Sequence, residues 1–499
     1  MADTLTLAQA RALWWSKQAF GGGPGSLASL IGNSGWLRTL GGADVYLAAR
    51  ARKPGMRRAE LDAVVANGDL RIVPAVRGCI YLVPPAVVSN LMALNAEPWR
   101  KDTERDLAKL GSSMKIVEDV AKRVLDALAT QLTTDGLRAA LPDGAIPSFG
   151  DPGKKIGMSS PLPLALRMLE FDGRIERTLE GGRLDSDRYH WRKTRVSDAA
   201  RDSGGALAAV VGAFLDFAGP CTLAHIAAWS KRPQRDLRPV LDHLGAKPVT
   251  IDGLGEAWAR HGDVGAAMRA PEPRGFALLA FEDNYLVNHG GLAAVTEPRH
   301  HEISIDIWGG SKPEAITTAN HVLSRTIVLD GFVVGMWEVD PRANRAVWYT
   351  FDPAPKPLAA KLDELTGDAA RFLLDEIGHA CAFTLDTMEL VQERADRISG
   401  LRSGKSPKLA PVKQAKPAKP VAAPPVAKPA AAKLAAAKPA AAKPAAAKPA
   451  AAKLAAAKPA AAAARPAAAK PAAKPKPKFA KPRSGKPAKK SAPTKKRKR

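Results

Sequence analysis

The sequence predicts an α+β protein in which units of helices and a two-stranded hairpin repeat, followed by a small β-domain and a basic tail. Three observations support this fold class. The order helix, hairpin, helix over residues 57–94 returns, in part, after residue 160 and again after residue 206. From residue 274 apolar residues alternate with the period of two that β-strands show. From residue 401 onward acidic residues are absent and large apolar side chains are rare.

The N-terminal segment is predicted to be helical with one break. Residues 4–20 place apolar side chains at helical spacing after a threonine that can cap the helix. Residues 21–25, Gly-Gly-Gly-Pro-Gly, are predicted to be a linker, because they lack the preceding strand and the following Lys-Ser/Thr of a phosphate-binding loop. Residues 26–52 are predicted to form two helices.

The first hairpin unit has the clearest local signals. Residues 71–73 and 79–83 are apolar runs of β-formers, and Arg77 and Gly78 lie in the bend between them. The preceding helix, residues 57–68, ends in Asn-Gly, as helices commonly do. A helix followed by a hairpin with an exposed arginine is typical of a winged helix-turn-helix module, which places a helix in the DNA major groove. A small α/β hairpin with a surface arginine explains this stretch equally well.

The second and third units repeat this plan without a repeat of residues. Residues 161–171 are predicted to be a helix that two strands follow, and residues 206–217 and 233–244 are helices that precede a wing strand at 250–253. The β-rich part is predicted to hold five strands, followed by helices at 357–365 and 368–382 and a last strand or helix at 384–398. The predicted strands are residues 276–279, 285–287, 326–329, 333–339 and 346–351.

The fold class is therefore α+β, with tandem winged helix-turn-helix domains, a small β-domain and a disordered C-terminal tail. We expect five parts. They are a first winged-helix domain (1–100), a second (101–200), a third (201–270), a β-rich domain with closing helices (271–400) and a Lys/Ala/Pro-rich tail (401–499).

Net charge divides the chain into a nearly neutral part and a strongly basic part. The whole chain carries 75 Lys and Arg against 49 Asp and Glu. Residues 401–499 contain 28 of the basic residues and no acidic residue, which leaves 47 basic and 49 acidic residues for residues 1–400. The body is thus nearly neutral. If it binds a polyanion by itself, its basic side chains must be gathered on one face.

The cysteine pattern and the hydropathy exclude several classes of protein. Cys79, Cys221 and Cys381 are too few and too far apart for a disulfide framework or a structural zinc site, so we expect three small buried side chains, no metal and no organic cofactor. No apolar run approaches the ~20 residues that span a bilayer, and no signal peptide is evident. We expect a cytoplasmic protein without membrane contact. The Ala/Arg/Gly-rich body suggests a bacterial source.

Four stretches are similar to one known family. They are RGCIYLVP (77–84), LRMLEFDGRI (166–175), GPCTLAHIAAW (219–229), and LLAFEDNYL (278–286) with VLDGFVVGMW (328–337). Together they resemble the AlkZ-like winged-helix family of DNA glycosylases, over roughly residues 5–400. The resemblance implies tandem winged helices and an enzyme that unhooks interstrand crosslinks or removes bulky alkylated bases.

The catalytic signature that the resemblance implies is absent from this sequence. The family carries a Gln, one spacer residue, then Gln or Asp, upstream of the Arg-Gly motif. The nearest position by spacing holds Arg38-Thr39-Leu40. Arginine stays protonated at any working pH and leucine has no polar atom, so neither can activate water. Asp44 is the nearest carboxylate and is the candidate catalytic residue, although a helix N-terminal charge or cap also explains it.

Basic residues near the hairpins and turns are the candidate DNA contacts, because phosphate contacts come mainly from Arg and Lys. A solvated helix start is the alternative for any such run. The candidates are Arg50, Arg52, Arg57, Arg58, Arg77, Lys154, Lys155, Lys231, Arg232 and Arg235.

The tail is predicted to be disordered and to bind polyanions. A proline about every five residues breaks the helix that alanine favours, and almost nothing can be buried. Its composition resembles the tails of linker histones. Each lysine that neutralises a phosphate of duplex DNA contributes ~0.9 to the salt slope of binding, without reading sequence. A solubilising linker or an RNA-binding segment is the alternative.

The sequence thus predicts a protein that grips duplex DNA through its phosphate backbone, with the tail adding non-specific affinity in the bacterial nucleoid. A monofunctional DNA glycosylase for bulky or crosslinked bases is the alternative, with Asp44 or an unidentified group in place of the glutamines. An architectural nucleoid protein whose affinity comes from the tail is the third. None of the three predicts an oligomeric state.

Overall fold

The structure is a computed structural model that describes residues 3–186, 188–194, 203–308, 312–319 and 321–403. The predicted tail lies outside the described residues, apart from its first three positions. None of the described helices is both long enough and apolar enough to cross a lipid bilayer. The fold is α+β, with helices surrounding several small sheets.

The chain starts with a short strand rather than with the expected helix. β1 (Asp3–Leu5) pairs in parallel with a strand far along the chain, at Thr4↔Thr250, and α1 (Leu7–Lys17) follows. The Thr6 side chain accepts a hydrogen bond from the Gln9 amide, and the Gln9 side chain accepts one from the Thr6 amide. This capping box sets the start of the helix after Thr6.

Three successive units have the order helix, strand, helices, two strands. In each unit the short first strand pairs with one strand of the hairpin, which makes the sheet three-stranded, and β1 extends the third sheet to four strands. The first unit consists of α2 (Leu27–Asn33), β2 (Leu37–Arg38), α3 (Asp44–Arg52), α4 (Arg58–Ala66), β3 (Arg71–Pro74) and β4 (Ile80–Val83). A long helix, α5 (Pro85–Lys109), leads to the second unit.

The second and third units repeat the order with helices of other lengths. The second unit consists of α6 (Met114–Ala127), β5 (Leu132–Thr133), α7 (Thr134–Ala140), α8 (Gly150–Lys155), α9 (Leu162–Phe171), β6 (Ile175–Leu179) and β7 (Tyr189–Lys193). The third unit consists of α10 (Ser203–Ala218), β8 (Cys221–Thr222), α11 (Leu223–Ser230), α12 (Gln234–His243), β9 (Lys247–Ile251) and β10 (Gly255–Ala259).

The β-rich part is an antiparallel four-stranded sheet covered by helices. In chain order the elements are α13 (Asp263–Arg269), β11 (Phe276–Leu279), α14 (Asn284–Val287), β12 (Ser304–Ile305), β13 (Glu314–Ala315), β14 (Arg325–Leu329), β15 (Phe332–Asp340), β16 (Arg345–Thr350), α15 (Lys356–Arg371) and α16 (Met388–Arg402). The sheet order is β11-β14-β15-β16, and β12 and β13 pair separately.

Two sequence expectations were wrong in this part, and a third had left strand and helix open. Residues 285–287 are helical, because the Asp283 side chain accepts a hydrogen bond from the Tyr285 amide (3.1 Å) and caps a helical turn. The two expected closing helices are one helix, α15, that continues into a π-helical turn at Phe372–Ile377. The last segment is α16, a helix that starts only after Thr387 caps it.

The apolar cores do not follow the chain order of the units. One cluster joins α3 and β3 of the first unit to β14 and β15, through residues such as Tyr46 and Trp337. Another joins the first hairpin to the helices of the third unit, through Tyr81 and Phe214. The second unit has a cluster largely of its own, around Val117 and Leu166. The first unit, the third unit and the four-stranded sheet are therefore packed against one another.

Candidate active site

A cavity of about 370 Å³ lies where the first unit, the third unit and the β-rich part meet. Its volume is in the range of ligand-binding pockets. Charged side chains from all three parts line it: Arg38, Arg77, Lys231, Glu282 and His321. We call this site the Glu282 cleft, defined by these five residues and by Asn288, which also lines it.

Glu282 is a buried carboxylate surrounded by cations. Its side chain is only 2% exposed. Oε2 forms an ion pair with Arg38 Nη1 and lies 3.5 Å from Arg77 Nη2. Oε1 accepts a hydrogen bond from His321 Nδ1. An ionised carboxylate only accepts hydrogen bonds, so this contact assigns the Nδ1–H tautomer to His321.

The backbone at this cleft is strained. Among the described residues, eight non-glycine residues have a positive φ, and four of them are Arg77 (59°), Lys231 (58°), Glu282 (53°) and His321 (59°). A left-handed conformation is unfavourable for residues with a side chain. Such residues cluster at functional sites, where the surrounding structure holds them in place. Four strained residues from separate segments therefore make this cleft a candidate functional site.

The cleft carries excess positive charge. Arg38, Arg77 and Lys231 are cations, against the one carboxylate of Glu282. Partial burial of the His321 ring, together with repulsion from these cations, lowers its pKa, so the imidazole is neutral at neutral pH. A cleft lined by one sign of charge attracts ligands of the opposite sign. Phosphate groups are the natural partners of such a surface.

Helix α3 holds the segment that carries Glu282 from both sides. The Asp44 side chain accepts a hydrogen bond from the Phe281 amide (2.5 Å). The Arg52 guanidinium donates to both carboxylate oxygens of Asp283, at 2.8 and 3.0 Å. Asp44 and Arg52 thus fix the residues immediately before and after Glu282. Both are positioning residues.

Two residues that the sequence singled out take part in these contacts. Asp44, the expected catalytic residue, is 6% exposed, and its Oδ1 accepts hydrogen bonds from the buried Arg325 at 2.9 and 2.6 Å. Unlike Glu282, Asp44 is not among the residues that line the 370 Å³ cavity. Arg52, an expected DNA contact, is 0% exposed and also donates to Gln18 Oε1 (2.6 Å). Such a guanidinium cannot reach a phosphate.

The structure brings two of the expected DNA contacts, Arg77 and Lys231, into the cleft, and the others lie elsewhere. Arg50 is largely buried and donates to the Met56 carbonyl and to Asp368. Arg232 donates to the Leu94 carbonyl. Five other expected contacts lie on the surface or at its edge, most of them in ion pairs: Arg57 with Glu376, Arg58 with Asp62, Lys154 with Asp151, Arg235 with Asp236, and the exposed Lys155.

Sequence reasoning missed two residues, Glu282 and His321. It also missed the contact between Arg38 and Glu282. The acidic pair Glu282-Asp283 begins three residues after the end of strand β11, inside one of the stretches that carries the family resemblance. That placement was a usable signal. His321 has no comparable signal, since its segment lacks any motif.

One group outside the cleft has the composition of a metal site. Ligand atoms of Glu297, His300 and Asp352 lie within 4.8 Å of one another. Arg299 Nη2 lies 2.6 Å from Glu297 and 3.0 Å from Asp352. Because this guanidinium already compensates both carboxylates, the group is better explained as a surface ion-pair network.

Comparisons with known proteins agree on one family. The model of the AlkZ-like family, described as "DNA glycosylase AlkZ-like", matches residues 39–372, more than half of the chain. An interstrand DNA cross-link repair glycosylase of Streptomyces sahachiroi is 24% identical over 317 residues, which cover 60% of this chain and 77% of the relative. The solved structure of the Streptomyces sahachiroi DNA glycosylase AlkZ has a similar fold, with a TM-score of 0.56 and 19% identity, over 76% of this chain and 98% of that one. The protein therefore belongs to the DNA glycosylase AlkZ-like family.

Proposed function

We propose that this protein binds duplex DNA and excises a modified base at the Glu282 cleft, with Glu282 as the catalytic carboxylate. The observation that carries the proposal is a carboxylate that is almost fully buried, held by Arg38, Arg77 and His321, in a cavity with positive charge. Family membership supports a repair glycosylase rather than a protein that only binds DNA.

The three units support a tandem winged-helix arrangement. Helix, strand, helices and hairpin is the element order of winged helix-turn-helix modules, and the bend that carries Arg77 occupies the place of a wing. We keep the boundaries 1–100, 101–200, 201–270 and 271–400 as part of this proposal. The units would grip the phosphate backbone, and the exposed side chains Arg57, Lys154, Lys155 and Arg235 are the outer contacts.

Glu282 can supply the chemistry that glycosidic cleavage requires. The C1′–N bond breaks and its electron pair leaves with the base, while positive charge develops on the sugar. An ionised carboxylate stabilises that charge, and it accepts a proton from the water whose oxygen bonds to C1′. Arg38, at the position of the family's first glutamine, holds Glu282 ionised and fixed. The carboxylate therefore takes over the role of the missing glutamine pair.

Single-turnover excision tests this assignment. The substrate is duplex DNA with a 7-methylguanine, and a crosslinked duplex is a separate substrate. We expect Glu282→Gln to lower the rate of abasic-site formation by about 10²–10⁴-fold, the usual contribution of a general base. Asp44→Asn should retain the rate within about tenfold, since the amide oxygen can still accept from Phe281.

Two controls make the result interpretable. The melting temperature and the affinity for undamaged duplex must stay close to wild type in Glu282→Gln, so that the loss is in chemistry. Equal excision by wild type and Glu282→Gln would refute the assignment of Glu282. No product from wild type on either substrate, together with salt-sensitive binding, would leave the second candidate function, a DNA-binding protein without chemistry. Arg38 in place of the family glutamine is the observation that favours that candidate.

The tail would add affinity that does not depend on sequence. Residues 401–499 carry 28 positive charges, and counterion release makes their contacts with phosphate steeply salt-dependent. This supports a nucleoid-associated location for the protein. Titration of the full chain on undamaged duplex at several salt concentrations measures the contribution.

A further inference from the structure

Residues 284–289 carry two amide side chains and one imidazole, and one of the two amides has no hydrogen-bond partner among the described residues. Asn284 Nδ2 donates to the carbonyls of Trp36 (2.6 Å) and Ser34 (3.2 Å). His289 Nε2 donates to the Ala218 carbonyl (2.8 Å), and its ring stacks on Trp14 at 3.8 Å. Asn288 lies between them and is 2% exposed, yet neither Oδ1 nor Nδ2 has a hydrogen-bond partner among the described residues.

A second unpartnered group lines the same cavity. Trp229 is 3% exposed, and its Nε1–H donates to none of the described residues. Its ring is held by stacking on Phe214, with centroids 4.5 Å apart. Buried polar groups in proteins almost always have partners, and those that lack one call for an explanation. Arg38 Nε also lacks a partner, so three residues that line this cavity carry unpartnered groups, and a ligand that supplies the missing hydrogen bonds would explain them.

The identity of the ligand follows from where the cavity lies. Glu282 is buried, so a base inside a duplex cannot reach it unless the nucleotide is extruded from the stack. An amide side chain offers a donor and an acceptor side by side, and it pairs with a base edge that offers the complementary two groups. We propose that the Asn288 amide, with Trp229 Nε1 beside it, binds an extruded purine through an edge that presents adjacent hydrogen-bond donor and acceptor atoms. This inference rests on the proposed function and names the groups that select the base.

The floor of the cavity is shaped for close approach. Gly290 and Gly291 follow with φ of 83° and 96° and line the cavity. A Cβ at Gly290 would lie 3.0 Å from His225 Nε2. A side chain at Gly290 would therefore crowd His225, another residue that lines the cavity. His225 adds no charge there, because burial lowers its pKa to about 4.

Binding preference tests the inference without relying on catalysis. The probe is a duplex with one 7-methylguanine whose sugar carries a 2′-fluorine, which prevents cleavage, compared with the same duplex undamaged. Wild type should prefer the modified duplex. Asn288→Leu should lose that preference by about 10- to 100-fold, the discrimination of a good bidentate contact, and should keep its affinity for the undamaged duplex. Trp229→Phe should lose less, since it removes a single donor.

Stability separates a binding role from a structural one. Leucine has nearly the same shape as asparagine, so replacing an unpaired buried amide should leave the melting temperature unchanged or raise it. Asn67→Leu, at an exposed helix end, is the matched control and should alter neither readout. A wild type without preference, or Asn288→Leu that keeps the preference within twofold, would overturn the inference.

Failure of the inference and failure of the proposed function give different patterns. Excision that depends on Glu282 but not on Asn288 would reject the base-reading role and keep the enzyme. A preference that depends on Asn288, without excision by wild type, would keep the binding site and reject the enzyme.

Discussion

Replacing Asp44 by alanine removes one end of a buried chain of charges. Arg325, 1% exposed, donates to Asp44 Oδ1 at 2.9 and 2.6 Å and also contacts Glu338. Glu338 Oε2 in turn accepts from Arg394 (2.7 Å), and Arg394 donates to Asp386. Asp44→Ala leaves two N–H groups of Arg325 and the Phe281 amide without their acceptor.

The expected cost is large, because a buried charge loses its partner. Breaking such a pair from one side costs about 3–5 kcal/mol. Asp44→Asn keeps one acceptor oxygen and should cost about half as much. The assay is chemical denaturation at neutral pH, followed by tryptophan fluorescence. Asp69→Asn, an exposed aspartate after α4, is the matched control and should stay within about 0.5 kcal/mol of wild type.

The same variants decide what Asp44 does. The structure makes it a positioning residue, so excision by the folded fraction of Asp44→Asn should remain within about tenfold of wild type. If Asp44→Asn abolished excision as completely as Glu282→Gln while its stability was unchanged, Asp44 would be the catalytic group, and our reasoning that Asp44 only holds the residue before Glu282 would be refuted.

Three further predictions concern pH, backbone strain and salt. Burial lowers the pKa of His289 to about 3. As the pH falls, this imidazole is therefore protonated in the unfolded chain before it is protonated in the folded protein. The free energy of unfolding should fall by about 1.36 kcal/mol per pH unit below pH 6.5, which is about 2 kcal/mol at pH 5. Denaturation at pH 5 and 7 should show that His289→Gln removes its share of the loss, that the share of buried His225 remains, and that the exposed His243→Gln keeps the full loss. Gly290→Ala should lower excision and melting temperature more than Gly245→Ala, which has the same sign of φ but open space around it. Removing residues 401–499 should reduce the salt slope of duplex binding by ~0.9 for each phosphate that the tail neutralises in the full chain. If the truncated protein, residues 1–400, did not bind duplex DNA at low salt, the proposed DNA-binding role of the three units would be contradicted.

Helices and hairpins that end or turn at a recognisable short motif were predicted well. Asn67-Gly68 ends α4 within a residue or two, and Asp330-Gly331 forms the turn between β14 and β15. Residues 285–287 show the limit of this approach. Their apolar character suited a strand, but the side chain of Asp283 caps a helical turn there, and one hydrogen bond outweighed the pattern.

The site was less predictable, because its contacts are distant in sequence. Glu282 meets Arg77 across 205 positions, and Asp44 meets Arg325 across 281. No periodicity or spacing reports such pairs. A charge taken in isolation looks available for function, as Asp44 and Arg52 did, and only the packed structure shows that a partner from elsewhere already holds it. Position relative to the cavity separates Asp44 and Arg52 from Glu282, since only Glu282 lines it, whereas all three residues are buried.

The composition of the Glu282 cleft from three parts of the chain has a consequence for biosynthesis. A ribosome delivers Arg38 early, Lys231 midway and His321 late, so the cleft is complete only after residue 321 has been added. Under the proposed function, a chain truncated before residue 321 lacks the His321 contact to Glu282, and we expect it to excise more slowly than the full chain. Base excision would then depend on completion of the chain.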